Sequence, residues 1–200
     1  MIDELPEIDG FRALWGTSIF QCPYCHGWEI QNQRFGYLAT NLEALTFPLL
    51  LRGWTSDVSV LTDGRFAVPL EMSARLMDGG VRLEQRRIAR FVPSGGHLER
   101  IEFVEGDSLP CDALFAHPRQ RQSDVVRSLV LALDETGYVQ VDGVQRETSI
   151  PGIYAAGDLL TPIQGALVAA ASGSQAAGML NRALTVDLAI TGALSRPTVT

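Results

Sequence analysis

Short apolar runs alternate with amphipathic segments over one continuous part of the chain. The spacing of the apolar residues predicts buried strands at 34–39 and 57–62, and helices at 42–54 and 67–77. The second helix is expected to end at Gly79-Gly80, because glycine adopts the backbone conformation that closes many helices. Strand, helix, strand and helix at such short spacing are typical of a parallel sheet with right-handed crossovers. The sequence therefore predicts an α/β fold.

After residue 80 the pattern changes to short strands that follow one another. Strands are predicted at 81–85, 88–92, 98–104 and 112–116, with a hairpin turn at Gly95-Gly96. The polar segment that begins at His117 then predicts a domain boundary.

Helix and strand patterns return beyond this boundary. A helix is predicted at 124–133, a small strand pair around 138–141, and a buried strand at 152–157. A long helix of small residues is predicted at 165–184.

Composition limits the class of protein. The chain has 200 residues, of which 46% are apolar, so it can bury a sizeable core. Sixteen basic and 23 acidic side chains give a net charge of −7 with no basic block, which argues against nucleic acid and anionic membrane surfaces as partners. The small apolar stretch 163–180 is interrupted by Gln164 and Ser172 and is rich in Ala and Gly, so it does not predict a membrane span. An acidic N-terminal sequence and few cysteines favour the cytoplasm.

The strongest chemical motif is Cys22-Pro23-Tyr24-Cys25. Two cysteines at this spacing can close and reopen a disulfide, and thiolates in such motifs are nucleophilic near neutral pH. Buried structural thiols and half of a zinc site are the alternatives. A zinc site needs about four ligands, however, and only His26 is close in sequence. No metal site is therefore predicted, and the distant Cys111 is interpreted as a small apolar core residue.

A second motif follows the predicted strand 152–157, which ends in Gly157-Asp158. A strand that stops at glycine lets a ligand approach the backbone, and the aspartate can accept hydrogen bonds from sugar hydroxyls. The free N–H groups at the start of the next helix, near Gln164 and Gly165, favour an anionic or electron-rich ligand edge. The small residues keep this helix slim, so it is also expected to pack closely in the core.

Together, the segments 16–27, 152–158 and 169–174 resemble the thioredoxin-reductase-like flavoproteins. Within them, the chain most resembles the bacterial and fungal dithiol oxidases of the gliotoxin and holomycin oxidase type. The resemblance implies a two-domain FAD/NAD(P)-binding flavoprotein fold, Rossmann-like, three-layered and N-terminally incomplete, and a homodimer. The implied layout is a linker at 1–18, a pyridine-nucleotide-type domain at 19–118, the C-terminal part of an FAD-binding domain at 119–186 and a tail at 187–200.

The resemblance also implies catalytic roles. Cys25 would exchange electrons with the flavin, while Cys22 would attack or release the sulfur of the substrate. His26 would donate a proton to the leaving thiolate and accept one back, which suits the intrinsic pKa of histidine.

Cofactor contacts follow from the resemblance in the same way. Asp158, beside Gly157, would hydrogen-bond the ribityl chain of FAD. The amides of Gln164, Gly165 and Ala166 would meet the pyrimidine edge of the isoalloxazine ring.

Two family features are missing. The chain has no G-x-G-x-x-G loop of the kind that holds the FAD pyrophosphate, so FAD affinity is expected to fall by several kcal/mol, on the order of three charge-assisted hydrogen bonds. At the family's NADPH loop, Ala39 and Asn41 replace glycines and only Ala44 matches. These replacements argue against NAD(P)H as a cofactor.

The sequence therefore predicts an FAD-dependent thiol–disulfide oxidoreductase that favours dithiol oxidation. Its partner would be a small dithiol or disulfide, or a thioredoxin-like protein. Three alternatives stay open: NADPH-dependent thioredoxin reductase activity, a non-catalytic remnant that binds no flavin, and a glutaredoxin-like dithiol exchanger. A glutaredoxin would continue from its second cysteine straight into a helix, whereas Gly27 and Gly36 interrupt such a pattern here.

Overall fold

Buried strands and short helices alternate along much of the chain. The structure is a computed structural model that describes residues 1–193. Within these residues the strands are β1 (Ile2–Glu4), β2 (Ile19–Phe20), β3 (Phe35–Leu38), β4 (Val58–Leu61), β5 (Val81–Glu84), β6 (Ile88–Ser94), β7 (His97–Phe103), β8 (Leu109–Pro110), β9 (Ala113–Ala116) and β10 (Arg119–Arg121). The α-helices are α1 (Phe11–Leu14), α2 (Pro23–His26), α3 (Phe47–Leu51), α4 (Leu70–Asp78), α5 (Asp124–Ser128) and α6 (Ala166–Ile190), and two 3-10 helices span Glu43–Thr46 and Gly157–Leu160.

The chain divides into two units, which we describe separately. The first, Leu5–Arg119, holds the Cys22–Cys25 motif and is called the dithiol unit. The second, called the C-terminal unit, combines Met1–Glu4 with the chain from Gln120 onward and contains α5 and α6.

A five-stranded parallel sheet with the order β2-β9-β3-β4-β5 forms the centre of the dithiol unit. Its three inner strands are apolar at every position or nearly so, and each is buried along its whole length. Strands of this composition are expected where both faces of a parallel sheet are covered. The α/β prediction is confirmed, and the carboxyl ends of these strands form a single edge.

Two apolar clusters cover the faces of this sheet. On one face Leu38, Leu61 and Leu114 pack with residues of the antiparallel sheet β6-β7-β8, such as Phe91 and Ile101. On the other face the neighbouring strand positions, which include Tyr37, Val60 and Phe115, pack with Leu51 and Leu76 of the helices. Because side chains alternate along a strand, consecutive residues enter different clusters. The dithiol unit therefore has three layers.

Two predicted helices are shorter than their sequence pattern suggests. The segment 42–54 forms a 3-10 turn followed by α3, and the break coincides with Pro48, which lacks an N–H group to continue the hydrogen-bond ladder. The segment 124–133 contains only α5, because Val130 adopts a left-handed backbone with φ 53°. In contrast, α4 ends at the predicted Gly79-Gly80 pair.

The predicted buried strand at 152–157 is wrong. Only Tyr154 forms an isolated bridge, to Glu147, and the glycines at both ends of the segment, Gly152 and Gly157, have left-handed backbones that no strand accommodates. The strand pair around 138–141 is likewise reduced to single bridges, including Leu133 to Val139.

Helix α6 is longer and far more exposed than predicted. It continues to Ile190, and among its described residues only Ala176 is buried, so the expectation of a closely packed core helix is not met. The predicted tail at 187–200 thus begins within α6, and its last part, 194–200, lies outside the described residues. No helix within residues 1–193 has the length and apolar character needed to cross a lipid bilayer.

Candidate active site

The dithiol turn follows β2 at the carboxyl edge of the parallel sheet. Cys22 has an extended backbone and precedes α2, whose first residue is Pro23. Proline suits this position because its missing N–H would have no partner in the first turn. The helix ends after one turn at His26, with the Gly27 N–H donating to the Pro23 carbonyl at 2.7 Å. The long helix expected after the second cysteine of a glutaredoxin is therefore not formed.

The two sulfurs of this turn are in contact. Both cysteines are free thiols, and Cys25 Sγ donates to Cys22 Sγ at a distance of 2.6 Å. Cys25 is exposed and Cys22 is half-buried. The hydrogen bond to Cys22 raises the pKa of Cys25, with burial and repulsion from the Cys22 thiolate acting in the same direction. Cys25 therefore keeps its proton while it donates to the neighbouring sulfur.

His26 lies on the same turn and is held by an aromatic contact. Its ring stacks on Phe20, the last residue of β2, with ring centroids 4.4 Å apart and planes 19° apart. The ring is nevertheless exposed, so it can exchange protons with solvent or substrate. The structure places Cys22, Cys25 and His26 on one turn, and their catalytic roles stay predictions.

Trp54 supports the turn, a contact that sequence reasoning missed. Tyr24 packs edge-on against Trp54 with ring centroids 5.3 Å apart, and Gly27 is buried against the indole. Trp28, in contrast, is 74% exposed and does not pack against the turn in this way. The Cys-x-x-Cys spacing gives no sign of these contacts, because Trp54 comes from a different part of the sequence.

The loop after β3, where the family motif would hold NADPH, is closed by its own side chains. Asn41 Oδ1 accepts a hydrogen bond from the Ala44 N–H at 2.9 Å, which occupies a donor that a phosphate would use. Glu43 adds a negative charge in the first turn of the 3-10 helix. Arg65, the nearest cation after β4, pairs with Asp63 at 3.1 Å. These residues do not fit a dinucleotide phosphate.

In the C-terminal unit, Gly157 and Asp158 begin a 3-10 helix beside α6. The Gly157 N–H donates to Ser172 Oγ at 3.1 Å, and a β-carbon on Gly157 would lie 3.6 Å from Ala169. Gly157 has φ 81°, which favours glycine, and the Asp158 side chain is exposed and can accept hydrogen bonds from a ligand.

The start of α6 offers free backbone donors. Gly165 is the N-cap, no side chain caps the helix within the described residues, and both Gly165 and Ala166 are exposed. Gln164 differs, because its N–H donates to the Pro162 carbonyl and its side-chain amide donates to Gln120 Oε1 at 2.6 Å. The N–H groups of Gly165 and Ala166 can thus meet an electron-rich ligand edge. Gln164 instead supports the start of the helix through its bond to Gln120.

Gln122 is a further residue of this region that sequence reasoning missed. Its buried side-chain amide donates to the carbonyls of Gly137 and Leu159, at 2.9 and 3.1 Å. Leu159 is next to Asp158, so Gln122 fixes the backbone that carries the carboxylate. A single glutamine in a polar segment gives no pattern from which this role could be predicted.

The chain is similar to known proteins of one family. The sequence profile of the pyridine nucleotide-disulphide oxidoreductase family matches residues 66–173. The chain is 26% identical to thioredoxin reductase sirT of Leptosphaeria maculans, over 96% of this chain and 64% of the relative. It is 29% identical to thioredoxin reductase tcpT of Claviceps purpurea, over 93% of this chain and 60% of the relative.

Solved structures show the same fold. The crystal structure of HlmI is similar with a TM-score of 0.80 and 31% identity, over 96% of this chain and 60% of that one. An oxidoreductase from Agrobacterium tumefaciens is similar with a TM-score of 0.83 and 30% identity, over 92% of this chain and 62% of that one. The chain thus spans less than two thirds of the length of these proteins, and it has the FAD/NAD(P)-binding, Rossmann-like fold. The chain belongs to the pyridine nucleotide-disulphide oxidoreductase family and is thioredoxin reductase-like.

Proposed function

We propose that this chain is an FAD-dependent oxidoreductase that oxidises dithiols by thiol–disulfide exchange at Cys22 and Cys25. The observation that carries the proposal is the contact between the two sulfurs, 2.6 Å apart on an exposed turn. A pair at this separation needs little movement to form the disulfide that the reaction uses.

The exchange begins with Cys22 and Cys25 joined as a disulfide. A substrate thiolate attacks the Cys22 sulfur, the bond between the two cysteines breaks, and Cys25 leaves with a proton supplied by His26. The second substrate thiolate then attacks the first substrate sulfur and releases Cys22. The substrate has lost two electrons and two protons, and the cysteine pair has gained them.

FAD, when bound, supplies the two-electron acceptor that returns the cysteine pair to the disulfide. Gly157 and Asp158 would hold its ribityl chain, and the free N–H groups of Gly165 and Ala166 would meet the electron-rich edge of its ring. Gln164 would support this edge through its bond to Gln120. The electrons would then pass to oxygen or to another acceptor.

The loop after β3 favours an oxidase over a reductase driven by NAD(P)H. Its Ala44 amide is bonded to Asn41, and Glu43 lies where a phosphate would need positive charge. No step of the proposed reaction therefore uses a nicotinamide.

NADPH-dependent reduction of a thioredoxin-like protein is the second candidate, because the relatives sirT and tcpT are named thioredoxin reductases. The exposed turn, with Tyr24 76% accessible beside Cys25, could receive either a small dithiol or a protein. Assembly as a homodimer stays a prediction of the resemblance, and a cytoplasmic location stays a prediction from the composition of the chain.

The test is reconstitution of the purified chain with FAD, followed by addition of a small dithiol under air. We expect a yellow protein that consumes the dithiol and yields its disulfide without NADPH. A colourless protein that cannot be reconstituted would contradict the proposal. A flavoprotein that reduces a small disulfide or a thioredoxin only when NADPH is present would favour the second candidate.

A further inference from the structure

His117 follows β9, the strand that lies between β2 and β3. The parallel register pairs Ile19 with Leu114 and Phe20 with Phe115. Two residues beyond Phe20 and Phe115, respectively, come Cys22 and His117. Because parallel strands keep their register, His117 is placed at the same level of the sheet edge as Cys22.

Contacts of the imidazole agree with this placement. The ring hydrogen-bonds the backbone of Gln21, the residue before Cys22, and this bond favours the charged ring, as expected when the ring donates to a carbonyl. The Tyr37 hydroxyl lies 3.2 Å from His117 Nδ1. His117 therefore connects β3 to the main chain that leads into the dithiol turn.

Tyr37 is the donor in the hydrogen bond between its hydroxyl and His117 Nδ1. Burial raises the pKa of Tyr37 to about 12, so its hydroxyl keeps its proton and donates to Nδ1. With Nδ1 accepting from Tyr37 and the other nitrogen donating toward Gln21, a neutral imidazole satisfies both partners. Protonation of Nδ1 would remove the acceptor that Tyr37 needs.

Packing holds the ring in the same orientation. Phe47 meets the imidazole edge-on at 4.5 Å between centroids and stacks on Tyr37 at 4.9 Å. One side of the His117 ring stays exposed, while these neighbours remove water from the other side and lower its pKa. The titratable side chains on the adjoining elements are Tyr37 on β3, Glu43 before α3, and the group Cys22, Cys25 and His26 on the dithiol turn.

We propose that His117 is a positioning residue for Cys22, which it orients by holding the Gln21 carbonyl while Tyr37 holds the imidazole. The proposal rests on the proposed function, since it assigns the residue to the same dithiol. The neutral ring keeps the turn in the arrangement in which Cys22 accepts the hydrogen bond from Cys25. Loss of the His117 bonds would free the backbone before Cys22 and lower its reactivity as a nucleophile.

The experiment uses the full chain with Cys25→Ser, so that Cys22 is the only accessible thiol. Mass spectrometry follows alkylation of Cys22 by iodoacetamide across the pH range in which histidines and thiols titrate. His117→Phe keeps aromatic packing but loses both hydrogen bonds, and we expect alkylation to slow by roughly three- to tenfold, the size of one lost hydrogen bond. His117→Gln keeps polar contacts and should remove only the inflection on the acid side of the pH profile.

His97→Gln is the matched control, because it removes an exposed histidine from the same unit and should retain that inflection. Tyr37→Phe removes the hydroxyl but keeps the ring, and it should slow the alkylation of Cys22, as His117→Phe does. This variant decides the question if His117→Phe does not fold. Unchanged alkylation rates and an unchanged pH profile in folded variants at both positions would overturn the proposal.

The alkylation assay needs neither flavin nor substrate. A chain that fails to oxidise dithiols but shows the expected His117 effects would contradict only the proposed function. A chain that oxidises dithiols but shows no such effects would contradict only the role of His117.

Discussion

Trp54 lies so close to Gly27 that a β-carbon on residue 27 would be 2.6 Å from its Nε1 atom. The same β-carbon would be 2.5 Å from the Pro23 carbonyl oxygen, which belongs to the first residue of α2. Neither the backbone carbonyl nor the packed indole can easily move far enough to make room for this β-carbon. The dithiol turn thus depends on glycine directly after His26.

Gly27→Ala is therefore expected to displace the turn and to lower the free energy of unfolding by about 1–3 kcal/mol. Denaturant unfolding measures the loss of stability, and alkylation of Cys22 reports the displacement of the turn. Gly143→Ala is the control, because a β-carbon there has no atom within 4 Å. Equal stability of the two variants would contradict the importance of the contact.

Cys22→Ala is expected to lower the pKa of Cys25. The raised pKa comes first from the hydrogen bond to Cys22, then from burial and from repulsion by the Cys22 thiolate, and only burial survives this substitution. The pH dependence of Cys25 alkylation checks the shift. Cys111 does not interfere, since burial raises its pKa to about 12. A pKa of Cys25 that stays unchanged or rises would refute the assigned cause.

Asp112 is expected to make the free energy of unfolding decrease as the pH falls into the acidic range. Hydrogen bonds from Arg34, at 2.5 and 2.8 Å, hold the pKa of Asp112 below its usual range. A depressed pKa stabilises the folded state at pH values above the unfolded pKa, and this contribution is lost as the pH falls through the folded pKa. Both side chains are partly exposed, so the contribution is about 1 kcal/mol or less.

Asp112→Asn should therefore lower the free energy of unfolding at neutral pH and flatten its decline in acid. Urea unfolding at neutral and acidic pH measures both effects. Asp107→Asn, at an exposed aspartate of the same unit, serves as the reference. Parallel pH profiles for the Asp112 variant and the parent chain would rule out this linkage.

Gln122→Ala is expected to loosen the backbone that carries Asp158. The substitution leaves the carbonyls of Gly137 and Leu159 without their amide donor, which should cost about 1–3 kcal/mol. The Val139 N–H also donates to the Leu159 carbonyl, so its hydrogen exchange should become faster. Gln140→Ala removes an exposed glutamine from the same unit and should leave this exchange rate unchanged.

The parallel sheet could be predicted because its strands are apolar on both faces, and such continuous apolar runs can be recognised from the local sequence alone. The Cys22–Cys25 motif was equally visible, since its two cysteines are local in sequence. The segment 152–157 misled the prediction, because Ile153, Tyr154 and Ala155 have the composition of a strand, whereas Gly152 and Gly157 adopt left-handed backbones. Local composition carries no information on which conformation a glycine will take.

The supporting contacts of the site could not be predicted for a different reason. Trp54 meets Gly27, and His117 meets Tyr37, only because the parallel sheet brings distant segments to one edge. The exposure of α6 also escaped prediction, since its small residues suit close packing as well as they suit solvent. Each of these features depends on tertiary structure rather than on spacing along the chain.

The most direct test compares dithiol oxidation by the FAD-reconstituted chain with that of its Cys25→Ser and Cys111→Ala variants. Cys25 forms the disulfide with Cys22, so Cys25→Ser should abolish turnover, whereas Cys111→Ala should retain it because Cys111 is buried and unreactive. Turnover by Cys25→Ser at the rate of the parent chain would contradict the proposed chemistry of the Cys22–Cys25 pair.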